Sequence, residues 1–282
     1  MEMARLCRVA IISADSRQVY RGLDIGTAKP TSADREVVPH FGLDLVEPGE
    51  TFSAGQFARA VQTWLRQCPD RQPLIVGGTG LYIKALTDGL FTQPPMESAA
   101  LRRLRAVVEA LPDVQRWACR LDPHYVVGGK QRAGRAVEVA LLTGWPLSWW
   151  QRKSPGVPSI EPWVVRLTMP RETLHARIAA RVRRMLDHGW IDEVRSLLRR
   201  GVAESAPGLD AVGYQEIVQH LRGQIALRDL EGKIALRTRQ YAKRQETWFR
   251  NQLGSHRVLV YDTSLPSARI AEMIVDTWRK EN

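Results

Sequence analysis

Residues 73–86 read Pro-Leu-Ile-Val-Gly-Gly-Thr-Gly-Leu-Tyr-Ile-Lys-Ala-Leu. The first four residues form a short apolar run typical of a buried β-strand, and residues 81–86 have the spacing of a helix. Three glycines and Thr79 lie between them. Small residues at such a position let an anion approach the backbone N–H groups at the start of a helix. An ordinary turn remains the alternative, because a short glycine run has low specificity.

A second apolar run, residues 9–13, is followed by Asp15. The carboxyl ends of parallel strands form the edge at which open α/β sheets bind ligands. Asp15 is therefore a candidate general base or hydrogen-bond acceptor at that edge. For an aspartate considered alone, a capping or turn role is the alternative.

The rest of the chain alternates strand and helix signals, apart from one long helical region. Further strands are predicted at 42–46, 163–167 and 258–261, and Ser53 is predicted to cap a helix. Four more helices are predicted at 171–200, 213–222, 229–253 and 266–280. This alternation favours an α/β fold with one parallel sheet, which we expect strand 163–167 to rejoin.

Strand signals are absent from the middle of the sequence, where apolar residues recur at helical spacing. We therefore predict an α/β core with C-terminal helices over residues 1–92 and 159–282. A helical insertion domain is predicted over 93–158, with 149–158 as the linker back to the core.

The formal net charge is +11, and all of the positive excess lies beyond residue 90. This asymmetry favours a small-molecule site in the neutral part and a polyanion partner for the basic part, against the alternative of solvated basic faces. The three cysteines are too few and too far apart for a disulfide framework or a four-ligand zinc site. Since no signal peptide or membrane span is evident, we expect a cytoplasmic protein without membrane contact.

Residues 238–250 combine cations with aromatic side chains. On a helix, Arg239, Lys243 and Arg250 fall near one face, and Trp248 offers a stacking surface. This composition suits phosphate backbones and unstacked bases. A solvated basic face above core aromatics is the alternative.

Residues 14–30, read as ADSRQVYRGLDIGTAKP, resemble the signature of the tRNA dimethylallyltransferases, also called isopentenyl-tRNA transferases. Residues 77–82, 212–216 and 241–250 are similar to later motifs of that family, in the same order. The resemblance covers nearly the whole chain. Four ordered motifs are far more specific than any of them alone.

The resemblance implies a P-loop NTPase-like parallel sheet with a helical insertion that holds the tRNA anticodon arm. It implies transfer of a dimethylallyl group from dimethylallyl pyrophosphate to the exocyclic amine of the adenine 3′ to the anticodon. Asp15 would accept the proton of that amine, and Thr79 would be a second catalytic residue at the reacting centre. Mg²⁺ would be the cofactor, and we expect a monomer.

The same matching assigns binding residues. The pyrophosphate contacts would be Gly77, Gly78 and Arg181. The tRNA contacts would be Asp15, Ser16, Arg17, Gln18, Thr79, Arg102, Gln131, Arg132, Ala133, Gly134, Arg135, Asp210, Ala211, Val212, Gly213, Tyr214, Gln215, Lys243, Arg244, Gln245, Glu246, Thr247, Trp248, Phe249 and Arg250.

The sequence departs from the family at its start. The family opens with a strand and a Gly-x-x-x-x-Gly-Lys-Ser/Thr phosphate loop, and this sequence contains no such motif. We therefore expect the first strand and the phosphate loop to be missing through an internal start, with the Mg²⁺ ligand in that segment. No metal ligand is assigned. The alternatives are a catalytically impaired tRNA-binding relative and a nucleotide kinase on a related fold, the latter disfavoured by the same departure.

Overall fold

The structure is a computed structural model that describes residues 1–91, 98–253 and 257–281, without the side chains of Ser98 and Arg102. It divides into two compact units. The core unit comprises residues 1–84 and 161–282, and the helical unit comprises 85–160. The predicted boundary at 92–93 lies outside the described residues.

A three-stranded parallel sheet lies in the core unit. Strand β1 (Val9–Ser13) is central, with β2 (His40–Phe41) on one side and β3 (Gln72–Val76) on the other. The side chains of Val9 and Ile12 are almost completely buried. Continuous burial of the central strand is typical of parallel sheets with both faces covered, which explains the apolar run in the sequence.

Strands β4 (Val164–Thr168) and β5 (Val258–Asp262) form a separate parallel pair. The expectation that strand 163–167 rejoins the first sheet is therefore wrong for the residues that the structure describes, since β4 pairs only with β5 there. The periodicity of a sequence predicts that a segment is an extended, partly buried strand. It does not predict which neighbouring strand it pairs with.

The strand predicted at 42–46 is also wrong. The strand ends at Phe41, and Gly42 and Asp44 have positive φ angles of 82° and 55°. A β-strand requires negative φ, so the chain turns at these residues. A Cβ on Gly42 would lie 2.6 Å from the carbonyl oxygen of Ser13, so a larger residue would not fit beside β1.

Thirteen helices connect these strands within the described residues, and none of them is long and apolar enough to cross a bilayer. They are α1 (Glu2–Leu6), α2 (Ser32–Val37), α3 (Ala54–Gln67), α4 (Gly80–Thr87), α5 (Ser98–Glu109), α6 (Val114–Leu121), α7 (Lys130–Thr143), α8 (Leu147–Lys153), α9 (Arg171–Asp187), α10 (Trp190–Arg199), α11 (Tyr214–Leu221), α12 (Leu227–Gln252) and α13 (Ser267–Glu281).

Helix limits follow local capping chemistry. The predicted cap at Ser53 is confirmed, because its hydroxyl accepts a hydrogen bond from the Gln56 N–H and the Gln56 side-chain oxygen accepts one from the Ser53 N–H. The helix predicted over 171–200 is instead two helices. They separate at Gly189, whose φ of 92° is outside the helical region.

The helical unit contains α5 to α8 around its own core. Val108, Ala118, Ala133 and Val137 are buried there. The linker predicted at 149–158 is wrong over its first part, because α8 occupies Leu147–Lys153.

Asp122 explains where α8 begins. Its buried carboxylate accepts hydrogen bonds from the Ser148 N–H at 2.8 Å and the Ser148 hydroxyl at 2.6 Å, and a third from the His124 N–H at 3.0 Å. The bond from the Ser148 N–H satisfies a donor in the first turn of α8 that has no partner within the helix.

We expect Asp122→Ala to lower the free energy of unfolding by about 3 kcal/mol, because hydrogen bonds to a buried charge are lost and donors are left unsatisfied. Asp113→Ala is the control. Asp113 caps α6 through one exposed hydrogen bond to the Arg116 N–H, so we expect a loss of about 1 kcal/mol. Urea denaturation of both variants measures the difference, and equal losses would contradict this role of Asp122.

Candidate active site

The ends of β1 and β3 meet at one edge of the three-stranded sheet. Ser13 lies opposite Val76 in the parallel register, so Asp15 and Thr79 follow at the same edge. The Ala14 N–H donates to the Val76 carbonyl at 2.7 Å, and the Thr79 N–H donates to the Ala14 carbonyl at 3.1 Å. Two segments 63 residues apart therefore share one junction.

Side chains at this junction are held in defined positions. The Thr79 hydroxyl accepts a hydrogen bond from the Ser16 N–H at 2.9 Å and donates to the Ser16 hydroxyl oxygen at 3.2 Å. One carboxylate oxygen of Asp15 accepts a hydrogen bond from the Arg17 N–H at 2.8 Å. The structure thus brings together four predicted site residues: Asp15, Ser16, Arg17 and Thr79.

Only glycine fits at position 77, because the backbone there lies against the backbone of Ala14. A Cβ at this position would lie 2.2 Å from the Ala14 carbonyl oxygen, which is far inside van der Waals contact. The absence of a side chain lets the 77–80 loop lie directly against the end of β1. Pyrophosphate contact by Gly77 and Gly78 stays a prediction.

The long helix α12 covers this loop with two side chains. The Gln245 amide donates to the Gly78 carbonyl at 2.9 Å, and a Cβ on Gly78 would lie 2.0 Å from the same nitrogen. A Cβ on Gly80 would lie 2.3 Å from the Trp248 ring. Two predicted tRNA contacts, Gln245 and Trp248, are therefore partly buried against the loop of residues 77–80, here called the glycine loop.

Other predicted contacts on α12 face outward. Lys243, Arg244, Glu246, Thr247 and Arg250 are exposed. An open cavity of about 360 Å³ is lined by Lys243, Arg244, Thr247, Trp248, Asn251 and Gln252. The Arg244 guanidinium lies 5.7 Å from the centre of the Tyr241 ring, a cation–π distance.

Three tyrosines respond to the charges at this junction, and no sequence pattern placed any of them near Asp15 or Arg17. Burial raises the pKa of Tyr20, Tyr82 and Tyr241, and the charge of the Asp15 carboxylate raises that of Tyr82 and Tyr241 further, whereas Arg17 lowers all three. All three phenols are therefore protonated at neutral pH. Tyr82 and Tyr241 lie within the quoted motifs, but nothing local shows that either is close to Asp15.

The segment 24–29 of the family-like signature has a structural role. The Glu193 carboxylate on α10 accepts hydrogen bonds from the backbone N–H groups of Asp24, Ile25 and Gly26, at 2.9, 2.7 and 3.4 Å. It also accepts one from the Tyr214 hydroxyl at 2.7 Å. One carboxylate therefore connects residues 24–29, here called the signature loop, to α10 and α11.

Lys29 holds the same loop from the other side. Its buried ammonium group donates to the Tyr20 carbonyl at 2.8 Å and to the carboxylates of Asp24 and Asp44 at 2.5 and 2.6 Å. Arg35 donates to the second oxygen of Asp44 at 2.9 Å. These bonds stabilise the turn where a strand was predicted.

The remaining predicted contacts fall into buried and exposed groups. Ala133, Ala211, Gly213 and Tyr214 are buried, whereas Gln131, Arg132, Arg181 and Asp210 are exposed. Six more are partly buried: Val212, Gly134, Phe249, Gln18, Gln215 and Arg135. Three of these form hydrogen bonds within the protein: Gln18 with Ser13, Gln215 with Leu209, and Arg135 with Glu138. The Arg102 side chain lies outside the described residues. Contact of Arg181 with the pyrophosphate, and of the other residues with tRNA, stays a prediction.

Comparison with known proteins gives the family. A profile described as IPP transferase matches residues 18–252. This chain belongs to the IPP transferase family. The match includes most of the signature, the glycine loop and all of α12.

Similar proteins carry a consistent name. The chain is 41% identical to the tRNA dimethylallyltransferase of Syntrophobacter fumaroxidans over 264 residues, covering 89% of this chain and 76% of that protein. It is 42% identical to the tRNA dimethylallyltransferase of Halorhodospira halophila over 265 residues, covering 89% and 85%.

Solved structures of IPP transferases are also similar. The tRNA delta(2)-isopentenylpyrophosphate transferase of Staphylococcus epidermidis aligns with a TM-score of 0.69 at 30% identity, covering 100% of this chain and 94% of that one. A eukaryotic dimethylallyltransferase acting on tRNA aligns with a TM-score of 0.80 at 22% identity, covering 100% and 75%, and shares the fold.

We expect Asp44→Asn to lower the free energy of unfolding of this chain at pH 7 by about 1–2 kcal/mol, because its bonds to Lys29 and Arg35 become weaker. Burial raises the pKa of Asp44, but hydrogen bonds from these two cations outweigh it and hold the pKa below its ordinary value of 3.8. The charged form therefore stabilises the fold above pH 3.8, and this contribution is lost as the pH falls through the lowered pKa.

Urea denaturation between pH 7 and pH 3 measures this effect. The stability difference between wild type and Asp44→Asn is expected to be constant down to about pH 5 and to shrink below the ordinary carboxyl pKa. A stability difference that does not change with pH down to pH 3 would contradict this role of the Asp44 carboxylate.

Proposed function

We propose that this chain transfers a dimethylallyl group from dimethylallyl pyrophosphate to the exocyclic amine of the adenine 3′ to the anticodon in tRNA. One observation carries the proposal: Asp15 and Thr79 follow the adjacent ends of β1 and β3, where the Ser16 N–H donates to the Thr79 hydroxyl, in a member of the IPP transferase family. The names of its relatives support the substrates.

Asp15 would accept the proton of the amine. The lone pair of an adenine amine is delocalised into the ring, so the amine is a weak nucleophile until a base takes its proton. In the transfer, the bond from the amine nitrogen to the dimethylallyl carbon forms, and the bond from that carbon to the pyrophosphate oxygen breaks. The hydrogen bond from the Arg17 N–H orients the Asp15 carboxylate for this role.

Thr79 would act at the leaving group. Its hydroxyl is fixed by Ser16 beside Asp15, where it can hydrogen-bond the oxygen that connects the dimethylallyl carbon to the pyrophosphate. Gly77, Gly78 and Arg181 are the proposed pyrophosphate contacts. The parallel strands support kinship of the core unit with P-loop NTPase-like sheets.

Mg²⁺ is the proposed cofactor. Among the described residues, no group of three or more His, Cys, Asp or Glu side chains is placed to hold a metal ion. Mg²⁺ commonly binds through substrate phosphates, so we propose that the ion binds with the pyrophosphate and neutralises its charge, and Asp15 stays free to accept the proton.

The tRNA would be bound through exposed cations. Lys243, Arg244 and Arg250 on α12 offer phosphate contacts, and Arg132 offers one on the helical unit. The target adenine must leave its stack to reach Asp15, as in other enzymes that modify a base.

The first test is Asp15→Asn with labelled dimethylallyl pyrophosphate, Mg²⁺ and a tRNA that has adenine 3′ to its anticodon. We expect the transfer rate to fall by about 10²–10⁴-fold, because the amide cannot accept the proton. The dissociation constant of the tRNA, measured by filter binding, is expected to change less than about threefold.

Asp276→Asn is the matched control, because Asp276 is exposed on α13 and has no place in the proposed site. Normal transfer by Asp15→Asn would rule out the proton-acceptor role. Tight tRNA binding by the wild-type chain without any transfer would replace the proposed function with that of a tRNA-binding relative.

The second test is Arg250→Ala with tRNA binding measured between 50 and 200 mM salt. Loss of one phosphate contact is expected to weaken binding and to reduce the slope of log K against log[salt] by about 1. An unchanged slope would exclude Arg250 from phosphate contact, and Gln240→Ala on the same helix is the neutral control.

A further inference from the structure

Helix α12 has two faces with different partners. Gln245 and Trp248 are partly buried against the glycine loop, at Gly78 and Gly80. Lys243, Arg244 and Thr247, on the same two turns, are exposed. The basic composition of this helix favours RNA contact for all of these residues, but the structure separates them.

The glycine loop has few ways to hold its shape. Its glycines have no side chains, so only backbone bonds and neighbouring atoms fix it. On one side, the Thr79 N–H donates to the Ala14 carbonyl and the Thr79 hydroxyl accepts from the Ser16 N–H. On the other side, the Gln245 amide donates to the Gly78 carbonyl at 2.9 Å.

We propose that Gln245 is a positioning residue: its hydrogen bond to the Gly78 carbonyl fixes the loop and thereby places the Thr79 hydroxyl beside Asp15. This inference deepens the proposed function and assigns Gln245 to the loop instead of the tRNA. Gly78 immediately precedes Thr79, so a change at its carbonyl changes the backbone that carries the hydroxyl. Groups that stabilise a transition state act only when held within a fraction of an ångström of their place.

Helix α12 carries both Gln245 and exposed cations. The exposed cations Lys243 and Arg244 lie one and two residues before Gln245 on the same helix. The surface proposed to dock tRNA and the side chain that fixes the loop therefore belong to one element.

The test is Gln245→Met, which keeps the side-chain length and removes the amide donor. We expect kcat for dimethylallyl transfer to fall tenfold or more, with the tRNA dissociation constant within twofold of wild type. Gln240→Met is the matched control, because Gln240 is exposed on the same helix and is expected to leave both quantities unchanged.

Gln245→Glu provides a pH readout. A carboxylate cannot donate to the Gly78 carbonyl, whereas a protonated carboxyl group can. We expect the activity of Gln245→Glu, divided by that of wild type at the same pH, to rise severalfold between pH 8 and pH 6. A loss of stability without a change in loop geometry would not produce this dependence.

Hydrogen exchange tests the positioning separately from the reaction. The N–H groups of Thr79 and Ser16 are expected to exchange at least fivefold faster in Gln245→Met, while those of β5 keep their wild-type rates. If wild type transfers nothing, the proposed function fails and these two exchange rates still decide the role of Gln245. Unchanged exchange, or weaker tRNA binding with an unchanged kcat, would overturn the inference.

Discussion

Gly77 lies against the carbonyl oxygen of Ala14, at a distance that no side chain would permit. This contact, together with the bond from the Thr79 N–H to the same carbonyl, joins the ends of β1 and β3. The two parallel strands would be adjacent without it, but Asp15 and Thr79 would not be held side by side. The proposed chemistry depends on that proximity, because proton acceptance and leaving-group contact occur on one small substrate centre.

Single carboxylates fix several segments within each of the two units. Glu193 binds three consecutive backbone N–H groups of the signature loop, and Asp122 holds the start of α8 in the helical unit. A charged acceptor with several N–H donors is among the stronger hydrogen-bond arrangements in proteins. Much of the family-like signature therefore stabilises the fold, while its first residues form the proposed site.

Helix α12 shows why composition alone misassigns residues. Arginine and aromatic side chains in one segment indicate RNA contact, yet Gln245 and Trp248 pack on glycines from a loop far away in the sequence. The local pattern distinguishes a helix from a strand. It does not specify which face meets a distant loop.

The sequence by itself determined the strands at 9–13 and 73–76, the cap at Ser53, the helical character of the described part of the middle region and the family, because these depend on short-range periodicity, capping chemistry and ordered motifs. Only the tertiary structure decided that the strands form two sheets, that Gly42 and Asp44 end a strand, and that Tyr82 and Tyr241 lie within electrostatic reach of Asp15. The physical reason is that strand partners, buried charges and glycine contacts are set by residues distant in sequence, and no local pattern encodes them.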